Sequence, residues 1–388
     1  MGQGYLPHSQ LALTAGTVLG VGSITENSAS ISPPEGSDLG RSFTAETPLH
    51  PAAAEFLTEA FSSGWANPTK IHHASRKTAI LISEARAIFC QHLGVTDSEL
   101  FFLGDTPLGF HLGISGFMAP GGLVHYPATA RSMAYAVAHS HPYNQLGVDN
   151  RGHFDIPEHK GEDLLVWQAV NAETGVRGRD PQGFSGKIFV DAVNSFQAIP
   201  EWSQGRWSAA LWDSRAWSGP AGFTVFALRD RPSWRNPLPH NDSKPTSGNI
   251  SVPLMIASAI ALEAYTKDFE ANRRKLLALN NKIRAIITER WAGSHVAGVV
   301  EETEPHLITL SLPAIESQWL VTELDRLGFA IDTGSACMSM NMQPSHVLAA
   351  MGLPVTGNIR LRLRPDHSES DIDTLLNAVV AVSEAFAD

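Results

Sequence analysis

Cysteine and lysine are the scarce residues of this sequence. Cys90 and Cys337 are the only cysteines among 388 residues, so no disulfide framework can hold the fold, and a cytoplasmic setting is the expectation. Lysine occurs eight times, which restricts any chemistry that needs an amine to a handful of positions. Positive charge is short as well: 28 basic against 39 acidic side chains give a net charge of −11. That balance excludes nonspecific nucleic-acid binding, whose affinity comes from Lys and Arg neutralising phosphates. No apolar run is long enough to span a bilayer. Leu11–Val21 is short and broken by Thr and Gly, and no basic residue precedes Arg41, so neither a membrane partner nor a secretion signal is expected.

What is present is apolar material for a sizeable core: 43% of residues are hydrophobic and 17% are charged. The length implies two or three domains. Residues 1–40, rich in Ser, Gly and Thr, read as a flexible leader, or else as an added strand or an arm embracing a second subunit. Residues 41–285 read as a large domain, its first residues packing on the small lobe, and 286–388 as a small α+β C-terminal domain. In the large domain short apolar strands (Leu100–Leu103, Gly122–Tyr126, Leu164–Val170, Ile188–Val190, Ala209–Trp212, Phe223–Leu228) alternate with helical patterns. These are Pro51–Ser62, a helix capped by Thr69 and running to about His92, and Thr129–Ala138. Such alternation predicts an α/β fold with a mainly parallel sheet covered on both faces. Ile250–Trp291 reads as one long helical connector. Beyond it come strands at Val296–Val300, Leu307–Leu312 and Ile359–Leu363, a helix at Ile315–Leu327, and a final helix from Ser368.

Several positions carry chemistry. Cys337 lies among small residues in Thr333-Gly334-Ser335-Ala336-Cys337-Met338-Ser339. That setting suits either a mobile nucleophilic thiol or an inert cysteine in a tight turn. Gly104-Asp105-Thr106 stands between a strand and a helix start, where backbone N–H groups and a hydroxyl suit a phosphate or simply cap the helix. Asp191 ends a buried strand, the end at which α/β sheets bind ligands, or caps a turn there. Arg360 sits among apolar neighbours and could hold a carboxylate bidentately. Arg362 and Arg364 share its face of the strand and read as a solvated edge. His139 and His141 have the spacing of one strand face, with no evident further metal ligands, so an exposed pair is favoured over a metal site. The nine tryptophans read as core and interface residues, with Trp212 and Trp217 filling volume beside the turn Gly219-Pro220-Ala221-Gly222.

The Cys337 loop, with Pro344-Ser345 and an apolar helix after it, resembles the Ser-Gly-Ser-Ala-Cys-Thr-Ser loop of the cysteine desulfurases. These form part of the class V aminotransferase branch of fold-type I pyridoxal-phosphate enzymes. The resemblance continues in order through Ala45-Glu46-Thr47-Pro48, Asn67-Pro68, Ile71-His72, Val170-Asn171-Ala172-Glu173-Thr174-Gly175, Ser247-Gly248 and Asn358-Ile359-Arg360. It covers about residues 41–388. It implies a PLP-transferase fold with a seven-stranded sheet in a homodimer whose active sites form at the subunit interface. It implies Cys337 as a persulfide carrier passing sulfur to an acceptor protein. Thr106, with Asp105 beside it, would lie at the cofactor phosphate, and Asp191 at the pyridinium nitrogen. Asn194 would stand at the ring oxygen, Arg131 at the position of the ring-stacking His, and Ser247 near the neighbouring site. Asp213 and Arg215 fall in the segment of the cofactor lysine. Arg360 and Asn171 would meet a small amino-acid-type substrate.

The departures matter as much. Counting back from the Gly219-Pro220-Ala221-Gly222 turn, the Schiff-base lysine position is Ala216 and the preceding His is Arg215. Ala172 replaces the Asn beside the ring. Alanine can neither form the internal aldimine nor move a proton. The expectation is a desulfurase-like protein, degenerate in the family's usual catalysis, that holds pyridoxal phosphate non-covalently if at all. The alternatives are an enzyme with a displaced base, Arg215 or Lys244, and a non-catalytic heterodimer partner. Lys187 is a poor substitute because it should lie at the far end of the Asp191 strand.

Overall fold

In a computed structural model, seven short strands of the large sheet lie in the order β1-β7-β6-β5-β4-β2-β3. They are β1 (Leu100–Leu103), β2 (Val124–Pro127), β3 (Tyr143–Leu146), β4 (Leu164–Gln168), β5 (Lys187–Asp191), β6 (Ala209–Asp213) and β7 (Thr224–Leu228). All neighbours pair in parallel except β7, which runs against both β6 and β1. The structure describes residues 39–387 apart from 64, 66–69, 72, 196–205, 241–249, 313–314 and 334–343, and Gly40–Asp388 cluster as one compact unit. The leader through residue 38, the Thr69 cap, the Asn67-Pro68 and Ser247-Gly248 motifs, Lys244 and Cys337 lie outside the described residues.

The near-continuous apolar strands follow from burial on both faces. Along β5, Ile188 and Val190 enter one core cluster and Phe189 the other; along β6, Ala210 and Trp212 enter the first and Ala209 and Leu211 the second. The first layer is built on α1 (Pro51–Ser63), α2 (His73–Leu93) and α5 (Val252–Lys267). The second is built on α3 (Thr106–Ser115) and α4 (Ser132–Ala138). Gly113 is required on α3: a Cβ there would lie 2.1 Å from the fully buried ring of Phe189, so this helix meets the sheet only without a side chain at that point.

A three-stranded antiparallel sheet in the order β10-β9-β8 follows, made of β8 (His295–Val296), β9 (Leu307–Ser311) and β10 (Asn358–Arg362). Helices α6 (Phe269–Arg290), α7 (Ser317–Arg326) and α9 (Glu369–Ala387) supply its apolar cover, and Phe43, near the start of the described chain, packs into the same cluster. The short helix α8 (His346–Ala350) begins at Ser345, whose hydroxyl accepts the Leu348 N–H at 3.1 Å.

Several expectations are corrected. The connector Ile250–Trp291 is two helices, because the chain breaks at Asp268 (φ −102°, ψ 8°) between α5 and α6. The expected strand Val296–Val300 shrinks to His295–Val296, with a 3-10 turn at Val300–Glu302. Thr129–Ala138 is helical only from Ser132, and strand β3 went unanticipated because its mostly exposed Tyr-Asn-Gln side chains occupy a sheet edge. His139 and His141 follow helix α4 rather than sharing a strand face. His139 bonds the Tyr126 hydroxyl at 2.7 Å and His141 meets Ser115 at 2.8 Å. No three potential metal-binding side chains cluster among the described residues.

Candidate functional site

The carboxyl ends of β4, β5 and β6 and the starts of α3 and α4 converge at one edge of the large sheet, and Arg360 and Arg362 of β10 approach the same cavity. Ligands of open α/β sheets bind at such strand ends. The cavity has a volume of about 180 Å³, and its lining includes Ala45, Arg131, Asn194, Ala216, Arg360 and Arg362. It borders a cleft of about 980 Å³ that reaches Thr106, Tyr126 and His346 and shares Arg131, Arg215 and Arg360 with it.

Asp191 closes β5 as expected and is 2% exposed. One of its oxygens accepts the Val193 N–H at 3.2 Å, and the other receives Nε of Arg131 at 3.4 Å. Arg131 immediately precedes α4; its Nη2 atom is buried and has no hydrogen-bond partner.

The segment after β6 is tightly self-bonded. Asp213, 5% exposed, accepts the backbone N–H of Arg215 and its Nε through one oxygen, both at 2.9 Å. Its other oxygen accepts Nη2 of Arg215 and the hydroxyl of Thr106, both at 2.8 Å. Hydrogen bonds and charge from Arg215 outweigh burial and hold the Asp213 carboxyl below the ordinary aspartate range, while the Arg215 guanidinium is pushed up. The 3-10 turn Ser214–Trp217 carries Ala216 into the cavity wall. Gly219 lets that turn close, since a Cβ would meet the Ser214 hydroxyl oxygen at 2.0 Å. Trp212 and Trp217 are fully buried beneath it, and the Trp217 N–H donates to the Ser258 carbonyl at 3.0 Å.

Asn171 lies on the wall of the large cleft with its polar atoms used internally. Its oxygen accepts the N–H groups of Glu173 and Thr174, and its amide donates to Thr129 and Gln168. Asp105 is exposed at the start of α3 and makes no side-chain cap. Lys187 begins β5, opposite Asp191, and pairs with Asp230 at 2.7 Å.

Arg362 and Arg364 correct the expectation of a solvated edge. Arg364 is 5% exposed and bonds Asp366 and the Ser42 carbonyl. Arg362 lines the cavity, and burial pushes its guanidinium pKa down. The strand does form a sheet edge, but the chain around Ser42–Ala45 runs against it, as the Arg362 N–H to Phe43 carbonyl bond of 2.8 Å records. Sequence reasoning missed Asp332 as well, which approaches Arg360 at 3.4 Å and accepts the Ala45 N–H at 3.0 Å. The isolated acidic residue before the Thr333 loop was the only signal available for it.

No family model matches the chain. It is 24% identical over 357 residues to a cysteine desulfurase of Azotobacter chroococcum mcd 1, covering 86% of this chain and 90% of that one. It is 24% identical over 369 residues to cysteine desulfurase IscS of Dictyoglomus turgidum, covering 88% and 93%. Among solved structures, a NifS-like protein from Rickettsia africae superposes with a TM-score of 0.77 at 18% identity, covering 88% of this chain and 99% of that one. The Escherichia coli cysteine desulfurase CsdA superposes with 0.75 at 17% identity, covering 94% and 100%. These structural likenesses establish the shared fold.

Proposed function

We infer that this chain, a divergent member of the cysteine desulfurase family, is a desulfurase-like protein whose cavity has lost the covalent anchor of its relatives' cofactor. The carrying observation is Ala216, a methyl group lining the cavity beside Arg131 and Arg215, with no lysine among the described residues that line the cavity or the adjoining cleft. Without an amine there is neither a Schiff base nor a base of the usual kind.

Pyridoxal phosphate is the cofactor that goes with this family. The ring end suits it, because a buried carboxylate such as Asp191 keeps a pyridinium nitrogen protonated, and a protonated ring is the electron sink this cofactor supplies. The phosphate end does not. The Thr106 hydroxyl is committed to Asp213, and an incoming phosphate would meet that ionised carboxylate. Any pyridoxal phosphate here is bound without a covalent link, and only after Asp213 releases Thr106. Arg215 is held protonated by Asp213, which speaks against it as a displaced base.

In this reading Cys337 is the sulfur-handling residue, a second copy of the chain and a sulfur-acceptor protein are its partners, and the cytoplasm is its compartment. Residues 41–285 act as the large domain and 286–388 as the small one, with Phe43 and helix α6 of the former packing on the small sheet. Borohydride reduction of the purified protein with added pyridoxal phosphate, followed by peptide mass analysis, tests it. No lysine adduct is expected; a phosphopyridoxyl group on any lysine, Lys244 included, overturns the loss of covalent chemistry.

A further inference from the structure

Three carboxylates at the small cavity are each engaged by an arginine that lines it: Asp191 by Arg131 at 3.4 Å, Asp213 by Arg215 at 2.8 Å and Asp332 by Arg360 at 3.4 Å. Asp191 differs from the other two in position. Asp213 and Asp332 line the cavity themselves, whereas Asp191 is 2% exposed and is absent from the described residues that line the cavity or the adjoining cleft. Arg131 lines both. The Arg131 side chain therefore stands between Asp191 and the space a ligand could enter. Both Asp191 oxygens are used from inside the chain, one by the Val193 N–H at 3.2 Å and the other by Nε of Arg131.

The contact is built to be released without refolding. The Arg131 carbonyl accepts the Ala134 and Tyr135 N–H groups at 2.9 and 3.2 Å, which fixes its backbone at the start of α4. Only the side chain, 23% exposed, has to turn. The 3.4 Å separation is also longer than the about 2.7–2.9 Å of a good charge-assisted bond, so the pair is held by charge more than by geometry. A second cation reaching Asp191 from the cavity would compete for the same oxygen, and the two cations would repel each other there. Ala172, Val193 and Ala216, which also line the cavity, leave small apolar walls beside Arg131, a setting for a flat ring rather than for a second guanidinium.

We propose that Arg131 is an internal competitor for Asp191: it holds the carboxylate in the free protein, and a protonated pyridine ring binds at this strand end only by turning the Arg131 side chain away. The proposal deepens the reading of a cavity that holds its cofactor without a covalent link, and rests on it. Asp191 supplies the charge that a ring nitrogen needs, and Arg131 decides how much of that charge is on offer.

The test is calorimetric titration of the purified full-length protein with pyridoxine 5′-phosphate, which carries the ring but no aldehyde, so no lysine adduct enters the measurement. Wild type is compared with Arg131→Met and Asp191→Asn. Arg131→Met removes the competing cation and should bind the probe at least roughly tenfold more tightly than wild type, the worth of one bond to a charged group. It leaves a buried carboxylate unpaired, so it should melt below wild type without the probe and regain most of that loss with it. Asp191→Asn takes the charge away from ring and arginine alike, so its affinity should stay within about threefold of wild type. Its amide oxygen still accepts from Val193 and Arg131, so this variant decides the matter if Arg131→Met does not fold. A smaller gain by a folded Arg131→Met overturns the proposal, because a merely structural arginine gives none. A larger loss by Asp191→Asn overturns it too, because a ring without a competitor would lose its whole ion pair. No binding by any folded form of the three at millimolar probe overturns it as well. A lysine adduct in the borohydride experiment fails the Ala216 reading and leaves these affinities untouched, so the two failures are told apart.

Discussion

Replacing Asp213 with asparagine separates the two oxygens of the residue that locks the site. Arg215 N–H and Nε share one oxygen, and the Asn carbonyl can keep both. The other oxygen takes the Thr106 hydroxyl and Nη2 of Arg215; there the Asn amide can donate to the Thr106 hydroxyl, which turns its own proton to Thr224 at 3.1 Å, but it meets Nη2 donor to donor. One charge-assisted bond is lost and the remaining contacts lose the carboxylate's charge. The side chain of Arg215 is 49% exposed, so water recovers part of the cost, and a net loss of about 2–3 kcal/mol is expected. With an unfolding entropy near 2.1 cal/mol/K per residue, this is a fall in Tm of about 3 °C for a chain of 388 residues. The pH dependence has a definite sign. Asp213 is held below 3.8 in the folded state, so its contribution is complete above that value and is lost as pH falls through the lower folded pKa. The melting temperatures of wild type and variant should therefore converge in acid. The same variant removes the negative charge beside Thr106 and should bind inorganic phosphate more tightly than the wild type. Differential scanning calorimetry at pH 7 and in acid, with and without phosphate, makes the comparison. A Tm change under 1 °C at pH 7, or no gain in phosphate binding, refutes the assignment of Asp213 as the lock.

Three other perturbations test the frame around the site. Glu302 bonds Arg179 at 2.9 Å and His153 at 3.0 Å, with Arg151 2.7 Å away as an ion pair, and the hydrogen bonds and charge of Arg179 and His153 hold its pKa at about 2 against burial. Glu302→Gln should cost about 1–2 kcal/mol near neutrality by urea unfolding, a difference that shrinks as pH falls from about 4.5 toward 2. Gly113→Ala should destabilise by about 1–3 kcal/mol in the same assay, because its methyl overlaps the Phe189 ring; a neutral result would mean that α3 lifts freely from the sheet. Trp217→Phe should cost about 1–3 kcal/mol by leaving a void under the Ala216 turn, and unchanged stability would show that the turn repacks.

Much of the frame was legible because it depends on local rules. Apolar strands and helical spacing recur whether or not the neighbours are known, so β1 and its equivalents, the end of β5 at Asp191, and the turn bearing Ala216 could be placed from residue order. Boundaries failed where tertiary packing overrides propensity. Asp268 breaks what reads as continuous helix, and β3 is held by pairing with β2 rather than by its own composition. Arg362 and Arg364 failed for a related reason: alternation says which face a side chain takes, and only the chain around Ser42–Ala45, some 320 residues away, turns that face inward.

By itself, then, the sequence determined the order of elements, the absence of an amine at Ala216 and the shortage of lysines elsewhere, because these are facts of residue type and spacing. The tertiary structure decided which charges cancel. Arg215 was read as a possible base and Asp213 as a cofactor contact; brought within 2.8 Å they neutralise each other and claim Thr106 as well. Electrostatic balance depends on distance and burial between residues remote in the chain, and neither is written in the order of the letters. That is why Arg362, a solvated strand arginine on paper, lines the cavity instead.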